Sequence, residues 1–528
     1  MVQMIVDFQI KEIKASSFEP GTDLTKYFEM LPDDHSLKKA YQAMLLASGS
    51  ERERLEAELR NAVKPGDLDV NIMTKIDRNN VDQNREPLPA EYSDALSALR
   101  GFAMSKLSSS IVFSAGFNRR LYAYIAKFSD FFPDELGVLK KKIVLKVSDF
   151  RSSLIQGKFL AKKGVWVSEY RIESGLNCGG HAFPSDGYLL GPILDEFKTK
   201  KSDFVSQMAK LCNEALRALK QNIFKEQPDA KITVQGGIGT ATEDRFLREH
   251  FEVAGTGWAT PFLLVKEATT VDDYTRQQLA DAKKEDLFLS GFSPLGVPFN
   301  AMKGTLSEKL KLKRIQDSRP GSPCPKGHLV SNTEFTKKPV CTASVLYQKN
   351  KIRELDKETL SSEAYDARYQ SIVEKACLCE DLASGALLEH KIESKRPLAS
   401  AVCPGPNLAY FSKLCSLSDM VGHIYGRQNL ISVENRPNMF VSELKMYIDY
   451  LKKEIQKSLP DLNQKQVVYF EKFKENLTDG IGYYKTLVPK LIEESQKYRD
   501  QMLQELQIYA QELDQLTDRY KVAFSQAV

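Results

Sequence analysis

The sequence has little net charge, few cysteines and no long apolar run. Its 74 Lys and Arg residues nearly balance 70 Asp and Glu residues, which leaves a formal charge of +4 on 528 residues. So small an excess argues against a nucleic-acid-binding protein or one drawn to an anionic membrane surface. Eight cysteines are too sparse for a disulfide scaffold, and no stretch approaches the roughly 20 apolar residues that cross a bilayer.

A targeting signal is not evident either. The first ten residues are apolar but include Asp7, and Lys11 and Glu12 follow where a cleavage site would need small residues. We therefore expect a cytoplasmic protein whose thiols are reduced unless they hold a metal. Its 42% hydrophobic and 27% charged residues are typical of a globular protein with a sizeable core. The length suggests two to four domains, or one large barrel with additions.

Short β-branched runs alternate with helical patterns over the first 310 residues. The predicted strands lie at 4–10, 69–73, 110–116, 142–147, 165–171, 231–235 and 251–255. Helical patterns cover 37–63, 93–107, 119–132, 203–225 and 243–249. Such alternation predicts an α/β protein with a parallel sheet covered by helices. Six or seven units favour a TIM (β/α)₈ barrel over a doubly wound sheet.

The pattern changes after about residue 310. Residues 316–345 and 394–408 are rich in Pro, Gly, Ser and Cys, which predicts irregular structure. From Val441 onward the pattern is helical, with apolar residues at the helical spacing of Leu444, Ile448, Leu451 and Ile455.

We therefore expect three parts. Residues 1–310 form the barrel, residues 311–435 a cysteine-containing, loop-rich insert, and residues 436–528 an all-helical C-terminal extension. The extension either packs onto the barrel or supplies a surface for a homodimer or another protein partner.

Glycines follow two of the late predicted strands. Gly236 and Gly237 end the strand at 231–235, and Gly255 and Thr256 follow the next one. Paired glycines let a backbone approach a phosphate closely, and barrel enzymes often hold phosphate after their last two strands. Such turns are also common for purely steric reasons.

His181 follows the Gly179-Gly180 turn after the strand at 165–171. Near the carboxyl end of a barrel strand, a histidine with an ordinary pKa of about 6.5 is suited to proton transfer. The alternative is a loop histidine held by a backbone carbonyl.

Three blocks in this order resemble one enzyme family. They read G-L-N-C-G-G-H at 175–181, V-Q-G-G-I at 234–238 and A-G-T-G-W-A-T at 254–260. This order resembles the nitronate monooxygenase family, also called 2-nitropropane dioxygenase-like, which includes flavin-dependent enoyl reductases. There the blocks read approximately G-x-E-A-G-G-H, A-A-G-G-I and M-G-T-R-F. The resemblance covers roughly residues 68–305, with Asn177 in place of the family's acid and Gly257-Trp258 in place of Arg-Phe.

The resemblance implies a TIM barrel that binds FMN. Backbone contacts to the flavin phosphate would come from Gly180, Gly236, Gly237, Gly255 and Thr256. Asn71 and Lys146 would approach the flavin ring, where a cation stabilises the anionic reduced form. Lys146 has an alternative interpretation as a strand-end lysine that reaches solvent. His181 would be the catalytic base or proton donor.

Six of the eight cysteines fall between residues 324 and 415. Cys324, Cys377, Cys379 and Cys403 are the candidate ligands of a metal or an iron–sulfur cluster, although their spacing matches no compact signature. Structural zinc, with His328 or His423 as a lesser candidate ligand, and free thiols are the alternatives. Cys178 and Cys212 are expected to be small buried residues.

The leading hypothesis is an FMN-dependent oxidoreductase of the nitronate monooxygenase-like class, which either oxidises a nitronate-like carbanion or reduces an activated double bond with electrons from NAD(P)H. One alternative is an NAD(P)H-dependent enoyl or ene reductase on acyl substrates. Because no G-x-G-x-x-G fingerprint follows a strand, NAD(P)H would bind only transiently. A barrel that binds a phosphorylated metabolite without flavin and a non-catalytic assembly subunit with a helical docking tail are further alternatives.

Overall fold

The structure is a computed structural model. It describes residues 2–74, 77–84, 86–114, 116–182, 186–324, 327–394, 396–459 and 462–526. Within these ranges, no helix combines the length and apolar character needed to cross a bilayer.

The N-terminal region contains four helices around a small core of their own. They are α1 (Val2–Ala15), α2 (Asp23–Glu29), α3 (Ser36–Leu46) and α4 (Gly49–Ala62). Their buried residues include Phe18, Leu24, Phe28, Tyr41 and Met44. The strand predicted at Met4 to Ile10 is wrong, because this segment lies in α1. Ile10 and Ile13 both pack on the core, and residues three apart share a face on a helix but not on a strand.

Six strands then pair side by side in chain order, all parallel. They are β1 (Val70–Met73), β2 (Ser109–Ser114), β3 (Lys141–Val147), β4 (Val167–Glu173), β5 (Lys231–Gln235) and β6 (Gly255–Gly257). A doubly wound sheet would reverse its strand order, so this order is that of a TIM-barrel-like α/β fold. In the described ranges, no strand pairs with the outer edge of β1 or β6. Ala115, in the predicted second strand, lies outside those ranges.

The last strand of the sheet is displaced from its predicted position at 251–255. Glu252 has a left-handed φ of 56°, which a continuing strand does not permit. Val253 is buried beside the sheet, and Ala254 N–H donates to Ile232 O at 2.7 Å. The paired segment therefore begins at Gly255 instead of ending there.

Helices connect the strands and cover one face of the sheet. They are α5 (Asp94–Ala103), α6 (Arg119–Ile125), α7 (Phe150–Ala161), α8 (Leu190–Ala218) and α9 (Ala241–His250). Helix α8 begins well before the predicted position at 203, and its Pro192 lies in the first turn, where the missing N–H costs nothing.

After α10 (Asp273–Asp281), the chain forms an antiparallel hairpin of β7 (Leu287–Ser290) and β8 (Phe299–Met302). These two strands pair with each other, whereas a (β/α)₈ barrel would add two parallel strands to the sheet. The next helices are α11 (Leu306–Gln316), α12 (Val345–Leu355), α13 (Ser362–Val373), α14 (Leu378–Glu389) and α15 (Leu417–Ile424).

The C-terminal region is helical, as predicted. It comprises α16 (Met439–Ser458), α17 (Gln464–Leu487) and α18 (Gln496–Gln526). Leu444, Ile448, Leu451 and Ile455 are buried in the same core as Ile143 and Ile172 of the sheet. The C-terminal helices therefore pack onto the α/β core.

Candidate functional site

The inner face of the sheet, opposite the covering helices, is polar and charged. On β4, Glu169, Arg171 and Glu173 alternate with the buried Tyr170 and Ile172. Since successive side chains on a strand point to opposite faces, these three share the inner face. A TIM barrel is normally filled here by branched apolar residues, so this face is suited to a polar ligand.

Lys146 lies at the carboxyl edge of this face, next to the end of β4. Its Nζ is 2.9 Å from Glu173 Oε2, and the two side chains are 19% and 17% exposed. Gln235 Nε2 donates to the other carboxylate oxygen of Glu173 at 2.8 Å. Three neighbouring strands thus contribute one connected polar group, which we call the Lys146 cluster (Lys146, Glu173 and Gln235).

A second ion pair lies deeper on the same face. Arg171 Nε donates to Glu169 Oε1 at 2.8 Å, and Thr233 Oγ1 donates to the same oxygen at 2.6 Å. Charges on the inner face are therefore matched, which reduces the free-energy cost of holding them away from bulk water.

The loop after β4 is shaped by Asn177, which has a left-handed φ of 38°. Its Oδ1 accepts hydrogen bonds from Gly179 N at 2.7 Å and Asn300 Nδ2 at 2.9 Å. Its Nδ2 donates to His181 O at 2.8 Å. A carboxylate could accept the first two bonds but could not donate the third, so the amide suits this loop.

His181 is held at the end of that loop. Its Nε2 lies 2.7 Å from Ser293 Oγ, and its ring meets Phe299 edge-on at 5.0 Å between centroids. Ser293 is fully buried, and its Oγ also accepts from Leu295 N–H at 3.2 Å. The arrangement positions one imidazole nitrogen against a hydroxyl that can pass or receive a proton.

The thiol of Cys178 lies in the same loop, with Sγ 3.9 Å from Gly257 O. Burial raises its pKa to about 12. The thiol therefore stays protonated at neutral pH, and a nucleophilic role is not favoured. Cys212 is buried in α8 as expected.

The paired glycines after β5 are required by close packing. A Cβ on Gly236 would lie 2.6 Å from Asn177 Cα, and one on Gly237 would lie 2.7 Å from Leu176 Cδ1. Both have positive φ angles, 92° and 77°. The steric interpretation therefore accounts for both glycines without any ligand.

Of the other groups predicted to contact the flavin phosphate, several already donate hydrogen bonds within the protein. Gly180 N–H donates to Cys403 O at 3.0 Å and Gly236 N–H to Gly257 O at 3.5 Å. The Thr256 hydroxyl donates to Asp244 Oδ1. At Gly255 a Cβ would meet only Thr233 Cγ2, at 3.7 Å, so packing does not explain this glycine and it leaves open space on the inner face.

Asn71 lies on the inner face of β1 but not beside Lys146. It is exposed, and it pairs in register with Val112, which in turn pairs with Val144. Asn71 is therefore two strands away from Lys146 and one row nearer the amino end of the sheet.

Sequence reasoning missed the groups that hold the turn after β5. Arg436 Nη1 lies 2.7 Å from Glu243 Oε1, both side chains are 5% exposed or less, and Arg436 Nη2 donates to Gly237 O at 2.9 Å. Glu243 Oε2 accepts from Gly239 N–H at 2.8 Å. The start of α9 is thus capped by its own carboxylate, not left open to a phosphate. Arg436 lies about 200 residues from this turn in the chain, and no local pattern marks it.

His423 is also committed to this turn. Its Nε2–H donates to Gly239 O at 2.9 Å, and its Nδ1 accepts from Leu430 N–H at 3.2 Å. Burial lowers the pKa of this histidine, so it is a neutral structural residue. Both ring nitrogens have partners, which removes it as a zinc ligand.

The structure does not bring all four predicted metal ligands together, although Cys324, Cys377 and Cys379 lie near enough to interact electrostatically. All eight cysteines are free, and no three or more described His, Cys, Asp or Glu side chains converge on a possible metal position. Cys403 packs near Phe299, Cys379 packs near Cys341, and Cys324 is exposed. Burial raises the pKa of Cys377 to about 12, which favours the protonated thiol.

A cavity of about 950 Å³ adjoins the turn after β5. It is bounded by the β7–β8 hairpin, α11, α13 and α16, and it reaches Leu176, Gly237 and Arg436. His181 does not line it.

Comparison with known proteins adds little. No protein-family model matches the sequence, and no curated protein matches it. Among solved structures, the chain is similar to the enoyl reductase domain of MlnA from the macrolactin biosynthesis cluster of Bacillus amyloliquefaciens, at 14% identity and a TM-score of 0.37 over 76% of this chain and 88% of that one. It is also similar to FabK from Thermotoga maritima, at 12% identity and a TM-score of 0.34 over 77% and 85%. Such TM-scores are too low to carry an argument, so function must be inferred from the chain's own residues.

Proposed function

We propose that this protein is a flavin-dependent oxidoreductase that binds FMN at the carboxyl edge of its parallel sheet, on a (β/α)₈-type barrel. The Lys146 cluster carries the proposal. It places a lysine, a carboxylate and an amide on three adjacent strand ends, on an inner face that is polar where a structural barrel would be apolar. The three sequence blocks that resemble nitronate monooxygenases lie around the same edge.

The donor set at this edge fits a flavin ring. Lys146 Nζ and Gln235 Nε2 can donate to the carbonyl and ring-nitrogen acceptors of an isoalloxazine. The N–H groups of Gly180 and Gly236 and the Thr256 hydroxyl already have acceptors within the protein. Gly255, where packing leaves open space, is therefore the backbone position that we propose approaches the phosphate.

When bound, FMN would supply electron or hydride transfer, chemistry that no side chain provides. Lys146 would hold a positive charge near the ring and thereby favour an anionic reduced state. His181 would exchange a proton with the substrate through Nε2, and Ser293 would orient the ring in the absence of substrate. The Asn177 amide holds the backbone of His181 and so positions the imidazole.

The resemblance implies two alternative reactions, which differ in the compound that gives electrons to the flavin. A nitronate monooxygenase would consume oxygen with a nitronate and need no NAD(P)H. An enoyl or ene reductase would oxidise NAD(P)H and reduce an activated double bond. In both reactions, His181 would transfer the proton to or from the substrate.

The first test is the cofactor itself. The purified protein should absorb at roughly 370 and 450 nm, as bound flavins do, and denaturation should release FMN. Folded protein that stays colourless after incubation with FMN would contradict the proposal and favour the flavin-free barrel that binds a phosphorylated metabolite.

A matched pair of variants tests the position of the flavin. Lys146→Met should weaken FMN binding, measured by quenching of flavin fluorescence, and should make the flavin reduction potential more negative. Lys142→Met is the control, because Lys142 lies on the same face of β3 near its amino end and is exposed. Equal effects of the two substitutions would place the flavin elsewhere.

His181→Ala should retain FMN but lose most turnover, by about 10²–10⁴-fold for a general acid or base. Stopped-flow reduction of the flavin and steady-state turnover, measured on the same sample, separate cofactor loss from loss of proton transfer. Wild-type turnover in the flavin-loaded variant would exclude His181 from the reaction.

A further inference from the structure

The cavity of about 950 Å³ has mainly apolar walls and one unusual amine. The β7–β8 hairpin contributes Leu287, Leu289 and Val297, and α11 contributes Leu312 and Ile315. Glu308, Lys311, Leu312 and Ile315 recur at helical spacing, so one side of α11 lines the cavity. Lys311 is the lysine on that side.

Lys311 lies against an aromatic ring and not against a carboxylate. Its Nζ is 3.5 Å from the centroid of the Phe292 ring, and its hydrogen bond is a long one of 3.4 Å to Glu374 O. Among the described residues, no carboxylate oxygen lies within ion-pair distance of this nitrogen. A cation over an aromatic face gains some attraction, but much less than full hydration or a close carboxylate provides.

The nearest carboxylates are occupied by backbone groups. Glu308 Oε2 accepts from Gly304 N–H at 2.5 Å, and Glu374 Oε1 accepts from Gly291 N–H at 2.6 Å. Both carboxylates raise the pKa of Lys311, but burial outweighs them and lowers it to about 8. About a tenth of this amine is therefore unprotonated at pH 7, whereas an ordinary lysine with a pKa of about 10.4 is almost wholly protonated.

Other charged groups also line the cavity. They are Lys284 before β7, Lys375 after α13, and Lys445, Asp449, Lys453, Glu454 and Lys457 on α16. Lys375 Nζ donates to Gly291 O at 2.7 Å, so this neighbour is held by the hairpin.

We propose that Lys311 is a nucleophilic amine that captures apolar aldehydes entering this cavity. The ammonium first loses a proton to water. The Nζ lone pair then forms a bond to the carbonyl carbon, the carbonyl oxygen takes up a proton, and loss of water leaves an imine, so that no electrons are exchanged with an external oxidant or reductant. The apolar part of the wall favours a carbon chain beside the amine, and Lys311 is not among the residues proposed to bind the flavin, although the cavity reaches the turn after β5.

Reductive trapping tests the proposal on the full-length protein. The protein is incubated with hexanal and sodium cyanoborohydride at pH 7.5, and labelled lysines are quantified by peptide mass spectrometry. From pKa values of about 8 and 10.4, the unprotonated fraction of Lys311 exceeds that of an ordinary lysine by about 200-fold at this pH. Burial limits access, so we expect labelling at least about tenfold faster than at exposed lysines. Its rate should level off above roughly pH 8, whereas rates at exposed lysines continue to rise.

Two variants make the test specific. Lys311→Arg keeps the positive charge but has no amine to deprotonate, so it should lose this adduct alone. Lys309→Arg is the control, because Lys309 is an exposed residue of the same helix, and it should label at Lys311 as the wild type does. Thermal unfolding of each variant confirms that it is folded.

Three results would overturn the proposal. The first is a labelling rate that rises only with the solvent exposure of each lysine. The second is a Lys311 that stays unmodified after the exposed lysines have reacted. The third is tight, saturable binding of hexanoate without any hexanal adduct at Lys311, which would identify the cavity as an anion site. If Lys311→Arg is unfolded, the pH dependence of labelling in the wild type decides the question.

Discussion

The buried ion pair between Arg436 and Glu243 offers the sharpest test of how the turn after β5 is held. Arg436 also donates to Gly237 O at 2.9 Å and to Asn407 Oδ1 at 3.3 Å. Replacing it by Met would leave the Glu243 carboxylate buried without a counter-charge. Removal of one partner of such a pair typically costs about 3–5 kcal/mol.

The lower end of that range applies here. Glu243 keeps two hydrogen bonds after the substitution, from Gly239 N–H and Met439 N–H, both at 2.8 Å. We therefore expect Arg436→Met to lower the free energy of unfolding by about 3 kcal/mol, which is roughly a 150-fold change in the equilibrium constant. The double variant Arg436→Met/Glu243→Gln should recover part of this loss, since no buried charge then remains unpaired.

Urea unfolding followed by Trp258 fluorescence measures the effect at this turn. Trp258 lies 5.9 Å from the His423 ring, and Trp166→Phe removes the other tryptophan. Arg245→Met is the control, because Arg245, also on α9, forms an exposed pair with Glu493, in which the two side chains are 51% and 37% accessible. It should cost less than about 1 kcal/mol. A loss of that small size for Arg436→Met, or no recovery in the double variant, would refute the reasoning.

Three further predictions concern packing and pH. Gly236→Ala should destabilise the fold, because the added Cβ would collide with Asn177, whereas Gly255→Ala should fold normally yet bind FMN less tightly. Thermal unfolding of both variants measures their stability, and flavin titration measures their affinity for FMN. Burial raises the pKa of Asp381 to about 6. The folded state therefore binds this proton more tightly than the unfolded state does, and the free energy of unfolding falls as the pH rises from about 4 to 6. Asp381→Asn should make that fall smaller by about 1–3 kcal/mol, as measured by urea titrations. A chain that ends at Asn438 should not fold, because α16 to α18 share the core of the sheet, and a cooperative thermal transition in the truncated chain would contradict this expectation.

Much of the sheet could be predicted from local patterns. The strands β2, β3 and β5 are short β-branched runs followed by turn or helix signals, and these strands are buried by covering helices. The first predicted strand failed because a window of seven residues does not separate helix from strand. The β6 strand was misplaced because a left-handed residue, Glu252, gives no warning in the sequence.

The candidate site was predictable only in part, and for a physical reason. His181 and Lys146 lie next to strand ends that local patterns identify. Ser293, which touches His181, comes from a hairpin 112 residues later, and Asn300 reaches Asn177 across 123 residues. Such pairs depend on tertiary packing, which local spacing does not encode.

The C-terminal helices contribute to the candidate site as well as to the core. Glu443 on α16 is 2% exposed, and one carboxylate oxygen accepts from Ser174 Oγ at 2.9 Å and Gly175 N–H at 2.7 Å. Its other oxygen accepts from Leu190 N–H at 2.8 Å, at the start of α8. These bonds hold both ends of the segment that contains His181. The position of that segment therefore depends on α16, and the C-terminal extension supports the candidate site as well as the core.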